Sequence, residues 1–338
     1  MTPVGVVDLH NHIVTEDVVA FLVKDGARLD TRILQRPEGR FAHVGRTAVR
    51  PLHARMCDPE ARLPDMDRLG IDVQAVSCTP FVLYADAPAD VALAVAQVNN
   101  DSLAALARRH PARFAPLASV PLQDPERAVR ELERAHRLGL RGTEIPARAG
   151  ELDLDDARLE PFWSAAVALG MPVCIHPFEA SPGGALARYA LSPLVGNLID
   201  TGMAATLLLM GGVLERHPRL RVVLYHGGGT FLALLARLQK GHELIPEARS
   251  AAPKPPSAYL HQFWVDTVTF DAGWLGYLIQ RLGASQVVLG SDYPLPLGPR
   301  DPAAEVRALR LDAASESAIL GGNACALLSL SRSAEVAA

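Results

Sequence analysis

The chain has 338 residues, of which 49% are apolar and 21% charged, and its formal net charge is −4. That length buries a large core, and the composition is that of a globular protein rather than a disordered or fibrous one. The slight negative charge gives no basis for a nucleic-acid or anionic-membrane partner. Short apolar runs suited to strands lie near 4–10, 73–79, 114–120, 140–145, 172–176, 221–226, 263–269 and 287–292. Helical spacing fills the stretches 91–109, 125–138, 157–169 and 273–282 between them.

The first run closes on Asp8-Leu9-His10-Asn11-His12. Residues two apart on a strand share a face, so His10 and His12 project together. A long connection, 13–63, carries Arg- and Pro-containing segments before a helical turn at 65–70. The fourth run holds Glu144, and the fifth ends in Cys174-Ile-His176. An apolar helical insertion follows at 177–212, whose run around 203–213 is too short and glycine-broken to span a bilayer. The sixth run ends in Tyr225-His226, ahead of Gly227-Gly-Gly229, where glycine lets backbone approach closely. A proline-rich connection covers 244–258, the eighth run ends in Ser291-Asp292, and 331–338 reads as a frayed tail. Eight strands with helical crossovers predict an α/β fold, a (β/α)₈ barrel, in one domain over 1–330 with insertions near 13–63 and 177–212.

His10, His12, His176 and Asp292 therefore fall at the C-terminal ends of strands one, five and eight, where barrel enzymes build their sites. Three nitrogens and one oxygen suit one Zn²⁺ per chain with a position open to water or substrate, and Mn²⁺ or Co²⁺ remain possible. No cysteine joins the set, which favours a catalytic over a structural metal. His226 is placed beside it either to shuttle a proton, to act as a further ligand, or to support a ligand from behind. No G-x-G-x-x-G follows a strand, so nucleotide binding has no support. Cys57, Cys78, Cys174 and Cys325 lack paired spacing and no stretch reads as a signal peptide, so a cytoplasmic location is expected.

Asp-x-His-x-His, Pro121-Leu-Gln-Asp124, Leu154-Asp-Asp156, His226-Gly-Gly-Gly229 and above all Gly290-Ser-Asp-Tyr-Pro-Leu-Pro-Leu-Gly298 resemble the decarboxylase branch of the amidohydrolase superfamily, in particular the aminocarboxymuconate-semialdehyde decarboxylase family. The resemblance implies metal-dependent, non-oxidative decarboxylation of a small unsaturated or aromatic carboxylic acid by a homodimer. It makes His10, His12, His176 and Asp292 the zinc ligands, His226 the acid/base, and Asp292 a participant in catalysis. It also implies that Arg50 holds a substrate carboxylate and that Arg237 holds one in the neighbouring subunit, while Arg46 matches a lysine near the family's site. A guanidinium fork suits a carboxylate, although in a chain with three lysines (Lys24, Lys240, Lys254) among 33 basic residues no single arginine stands out. The chain departs from the family at substrate-wall positions: Phe178 and Tyr189 stand where tryptophans are expected, and Leu295 stands where phenylalanine is. Glu144 has no acidic counterpart and is read as substrate-contacting, as supporting the site from behind, or as ligand to a second metal. The competing reaction is metal-dependent hydrolysis of an amide, lactone or imine, which the same metal residues would serve.

Overall fold

The computed structural model describes residues 5–45, 49–177 and 184–330. Eight parallel strand segments correspond to the eight apolar runs: β1 (Val7–Ile13), β2 (Val73–Cys78), β3 (Leu117–Ala118), β4 (Gly142–Pro146), β5 (Val173–His176), β6 (Val222–Leu224), β7 (Phe263–Asp266) and β8, which is in two pieces, Val287–Val288 and Gly290–Tyr293. Their order follows the chain. β1 pairs with β2, an isolated bridge from Gln74 to Phe114 leads on to β3, and β3 to β7 pair successively. β8 closes the round, since its first piece pairs with β7 and its second with β1. Val7, Leu9, Ala75, Leu117, Cys174, Val223 and Val288 form one buried cluster although they come from strands that are not all neighbours. Side chains from such strands meet only across the interior of a barrel, as expected of this α/β, TIM-type fold.

The crossover helices start where their caps dictate. Asp124 accepts from the Arg127 amide ahead of Pro125–Arg137, and Asp271 accepts from Trp274 ahead of Ala272–Leu282. The seam between first and last strands is polar. Asp8 is fully buried, and its carboxylate accepts from Gln74 Nε2 (3.0 Å) and from the Ser291 amide (3.1 Å) and hydroxyl (2.6 Å). Beside it, buried Arg62 donates to Asn11 Oδ1 and Gln74 Oε1 and to the carbonyl of His12 at 2.5 Å. β1 is thus held from behind while its other side faces the barrel.

Three sequence expectations need correction. β1 starts and ends three residues later than read, so both histidines lie within the strand, and its register shifts between His10 and Asn11. The connection 13–63 is not a loop. It holds the helix Glu16–Lys24 and an antiparallel sheet of Thr31–Arg36, Gly39–Val44 and Arg50–Pro51. Its strands are half exposed with no clean alternation, which hid them, but Pro37-Glu38 between the paired Arg36 and Gly39 is a legible turn. The apolar stretch of the second insertion is longer than read. Ser192–Met210 is long and apolar enough to cross a membrane by length and composition, and a third (33%) of it is buried inside the structure, Leu208 and Leu209 in the main core.

Candidate metal centre

Four of the eight strands deliver side chains to one point. His10 Nε2 lies 3.2 Å from His12 Nε2, and each lies 3.3 Å from Asp292 Oδ1. Ligand atoms of His10, His176, His226 and Asp292 all fall within 4.8 Å of one another. His10 and His12 are fully buried and His176 and Asp292 nearly so. His226 and Asp292 both adopt left-handed backbone, with φ of 56° and 52°. Such conformations cost about 1–3 kcal/mol each and concentrate at functional sites.

Bonds behind three of the rings set their tautomers. His10 Nδ1 donates to Asp266 Oδ2 at 2.5 Å, His12 Nδ1 to the Cys78 carbonyl at 3.0 Å, and His176 Nδ1 to the Pro177 carbonyl at 2.8 Å. With Nδ1 carrying the proton, each Nε2 presents a lone pair to the shared centre, the usual arrangement of metal-bound histidine. The His10 ring is also fixed by stacking on Tyr225, with centroids 3.7 Å apart and planes at 8°. His226 differs: its Nδ1 is buried without a partner, so nothing behind the ring holds it as a ligand is held.

Two further observations favour a cation. His176 Nε2 is buried with no hydrogen-bond partner, which is costly unless something else satisfies it. The charges agree. Burial works to lower the His10 pKa, but its bonds to Asp266 and Asp292 outweigh burial and push it up to about 10. Burial likewise works to raise Asp292, while His10, His12 and His226 hold it well below the usual carboxylate range. His176 is pushed well below its ordinary value by burial and then by the other three histidines. A site that draws in positive charge at His10 and keeps His176 neutral suits a dication held by these lone pairs.

The other predicted residues are scattered. Glu144 is buried on β4; one carboxylate oxygen accepts from Ser77 at 2.6 Å, the other has no partner, and burial raises its pKa. Like His12, it is not among the residues whose ligand atoms share the 4.8 Å group, but His12 Nε2 lies 3.3 Å from Asp292 Oδ1. Arg50 is half-buried on the small antiparallel sheet, where burial lowers its pKa. Arg237 lies on the exposed face of the helix Phe231–Leu244, lining an apolar recess of about 280 Å³ with Ile199, Met203 and Leu234. Tyr189 is 81% exposed, and Leu295 packs against the cluster of Val14, Leu22 and Tyr84. Phe178 and Arg46, like the tail 331–338, lie outside the described residues.

The sequence reading missed Asp266. It ends an apolar run, Phe263-Trp-Val-Asp266, in the same way as the ligands end theirs, and that pattern was the available signal. Burial works to raise its pKa, but the hydrogen bond from His10 outweighs this and keeps it below the usual range.

Comparison with known proteins agrees with this geometry. A family model described as "Amidohydrolase" matches residues 7–330. The chain is 34% identical over 284 residues to the 2-amino-3-carboxymuconate-6-semialdehyde decarboxylase of Dictyostelium discoideum, covering 83% of this chain and 79% of that one. It is 28% identical over 267 residues to the gamma-resorcylate decarboxylase of Rhodococcus jostii, covering 72% and 79%. Among solved structures it is similar to dihydroxybenzoic acid decarboxylase from Polaromonas, crystallised with manganese and 2-nitroresorcinol (TM-score 0.80, 26% identity, 96% and 97% covered). It is also similar to 5-carboxyvanillate decarboxylase from Sphingomonas paucimobilis (TM-score 0.81, 27% identity, 97% and 100% covered). A TIM-type barrel with a buried His/Asp centre and relatives of this kind give one conclusion: the chain belongs to the amidohydrolase family, in its metal-dependent decarboxylase branch.

Proposed function

We propose that the protein removes CO₂ non-oxidatively from a small unsaturated or aromatic carboxylic acid, with His10, His12, His176 and Asp292 as ligands of one zinc ion and His226 as acid/base. The observation that carries the ligand set is the three Nδ1 anchors, which leave the Nε2 atoms of His10, His12 and His176 free to face a shared centre and leave His226 unanchored. Three nitrogens and one carboxylate suit zinc, and manganese, the metal named in the Polaromonas structure, is the alternative. When bound, the metal supplies an electrophile for substrate oxygens. The chain's own work is then positioning and proton transfer. Arg50 holds a substrate carboxylate, and Leu295, Phe178 and Tyr189 shape the wall. His226 gives a proton to the carbon from which CO₂ departs, so that a C–H bond replaces the C–C bond. Purified protein is expected to hold about one divalent ion per chain and to release CO₂ from members of a panel of carboxymuconates, resorcylates and carboxyvanillates. Turnover of amides or lactones with no CO₂ released from any acid would overturn this reading.

We further propose a homodimer in which Arg237 serves the neighbouring site. Ile199 and Met203, 49% and 54% exposed, lie beside Leu234 and Arg237, and apolar surface of this kind needs a partner. Arg50→Ala and Arg237→Ala are each expected to raise KM, a charge-assisted contact being worth about 1.5–3 kcal/mol, with the metal retained. Mixing the two variants restores part of the activity, because one site of each mixed dimer is intact. No recovery while subunits demonstrably exchange would place Arg237 in its own chain's service. No disulfide joins the cysteines among the described residues, and Cys57, Cys78 and Cys174 are buried, which suits the reducing cytoplasm where we place the protein.

A further inference from the structure

The turn after β6 is closed locally by two hydrogen bonds, from the Gly228 amide to the Tyr225 carbonyl (3.2 Å) and from the Gly229 amide to the His226 carbonyl (3.0 Å). His226, Gly227, Gly228 and Gly229 have φ of 56°, 62°, 77° and 56°, four left-handed residues in succession. A Cβ at Gly229 would sit 2.2 Å from the Leu198 carbonyl oxygen, and one at Gly227 would sit 2.7 Å from Thr269 Cγ2. The glycines therefore permit the turn, but His226 itself is not glycine and its left-handed backbone needs support from outside.

From the neighbouring strand, one carboxylate ties the start of this turn to the metal-facing residues. Asp266 Oδ1 accepts from the amides of Gly227 (2.7 Å) and Val268 (3.1 Å). Oδ2 accepts from the amide of His226 (2.9 Å) and from His10 Nδ1 (2.5 Å). All four neighbours are donors, so only an ionised carboxylate satisfies them. The atom that orients the metal-facing ring of His10 is thus the atom that fixes the backbone of His226.

We propose that Asp266 is a positioning residue that couples metal binding to the placement of the acid/base histidine. With its Nε2 coordinated, the His10 ring becomes a stronger Nδ1–H donor, which pins Oδ2 and with it the His226–Gly229 turn. The metal is therefore used twice, once for substrate and once, through His10 and Asp266, to set His226. This inference rests on the roles proposed above for His10 and His226, and its test needs no substrate, so it fails separately from the assignment of the reaction.

The experiment is amide hydrogen exchange at 226–229 in metal-loaded and chelator-stripped protein, for wild type and Asp266→Asn. Asparagine keeps the size but must turn an NH₂ either toward His10 Nδ1 and the His226 amide or toward the Gly227 and Val268 amides. In either orientation two donors, at least one of them in the turn, lose their acceptor. Metal is expected to slow exchange at 226–229 at least about tenfold in wild type and to leave it unchanged in the variant. The variant's metal affinity, measured with zinc against a competing chelator, is expected to fall about 10–100-fold, as for loss of a carboxylate behind a ligand histidine. Equal metal-dependent protection in both proteins would overturn the coupling. So would an absence of metal-dependent protection at 226–229 in wild type, a measurement that stands even where the variant does not fold. Unchanged zinc affinity in the variant would overturn the role at His10.

Discussion

Replacing His226 with asparagine is expected to slow turnover by about 10²–10⁴-fold, the range for loss of a positioned acid/base, while most of the metal stays bound. Asparagine tolerates the left-handed backbone of this position better than most residues, so the turn over Asp266 survives and the loss belongs to the side chain. The expectation follows from the unanchored ring. His226 Nε2 lies 3.8 Å from Asp292 Oδ2, at the edge of the site, yet its Nδ1 has no partner behind it. Metal content by mass spectrometry and kcat are read on the same sample. If His226→Asn loses metal as readily as His176→Ala, the histidine is a fifth ligand and the proton comes from elsewhere.

Asp292→Asn is expected to empty the site and abolish activity together. Asp292 Oδ1 is the point toward which His10 and His12 converge, and no other carboxylate belongs to the ligand group. Its loss exceeds the roughly 10–100-fold weakening that follows removal of a partner behind a ligand. In wild type, metal at about a hundredfold excess over Kd adds about 2.7 kcal/mol of stability. The variant gains none, and a thermal melt with and without added zinc makes the comparison. A variant stabilised by zinc as wild type is, with activity intact, would remove Asp292 from the metal site. Two ions per chain in wild type would instead bring Glu144, with its unpartnered oxygen, into the ligand set.

The barrel and the four converging donors were legible because each rests on a local rule. A buried parallel strand is an apolar run, and the residue that ends it faces the barrel mouth, so His176, His226 and Asp292 announced themselves by position. Asp266 ends its run in the same way, but an aspartate without a neighbouring histidine is as easily a helix cap, so its position alone does not mark it. The sheet within 13–63 was illegible for a different reason. Its strands pack on the residues that follow β1 and β2, with Arg32, Gln35 and Arg36 exposed, so no period of two marks them. The bond from Asp266 to His10 spans 256 positions of sequence, and nothing local encodes it. Arg50 and Arg237 entered only through family resemblance, since in an arginine-rich chain their type carries no information.

The polar seam between β8 and β1 joins residues 283 positions apart in the chain, Asp8 and Ser291. During synthesis the histidine pair of β1 is made first and the aspartate of β8 nearly last. A nascent chain still short of β8 exposes two or three imidazoles but lacks the carboxylate that completes the set, and weak partial sites of that kind release what they pick up. On the proposed ligand set, metal is expected to be captured only once β8 has closed the barrel, and a chain cut short before Gly290 is expected to be apo as well as inactive.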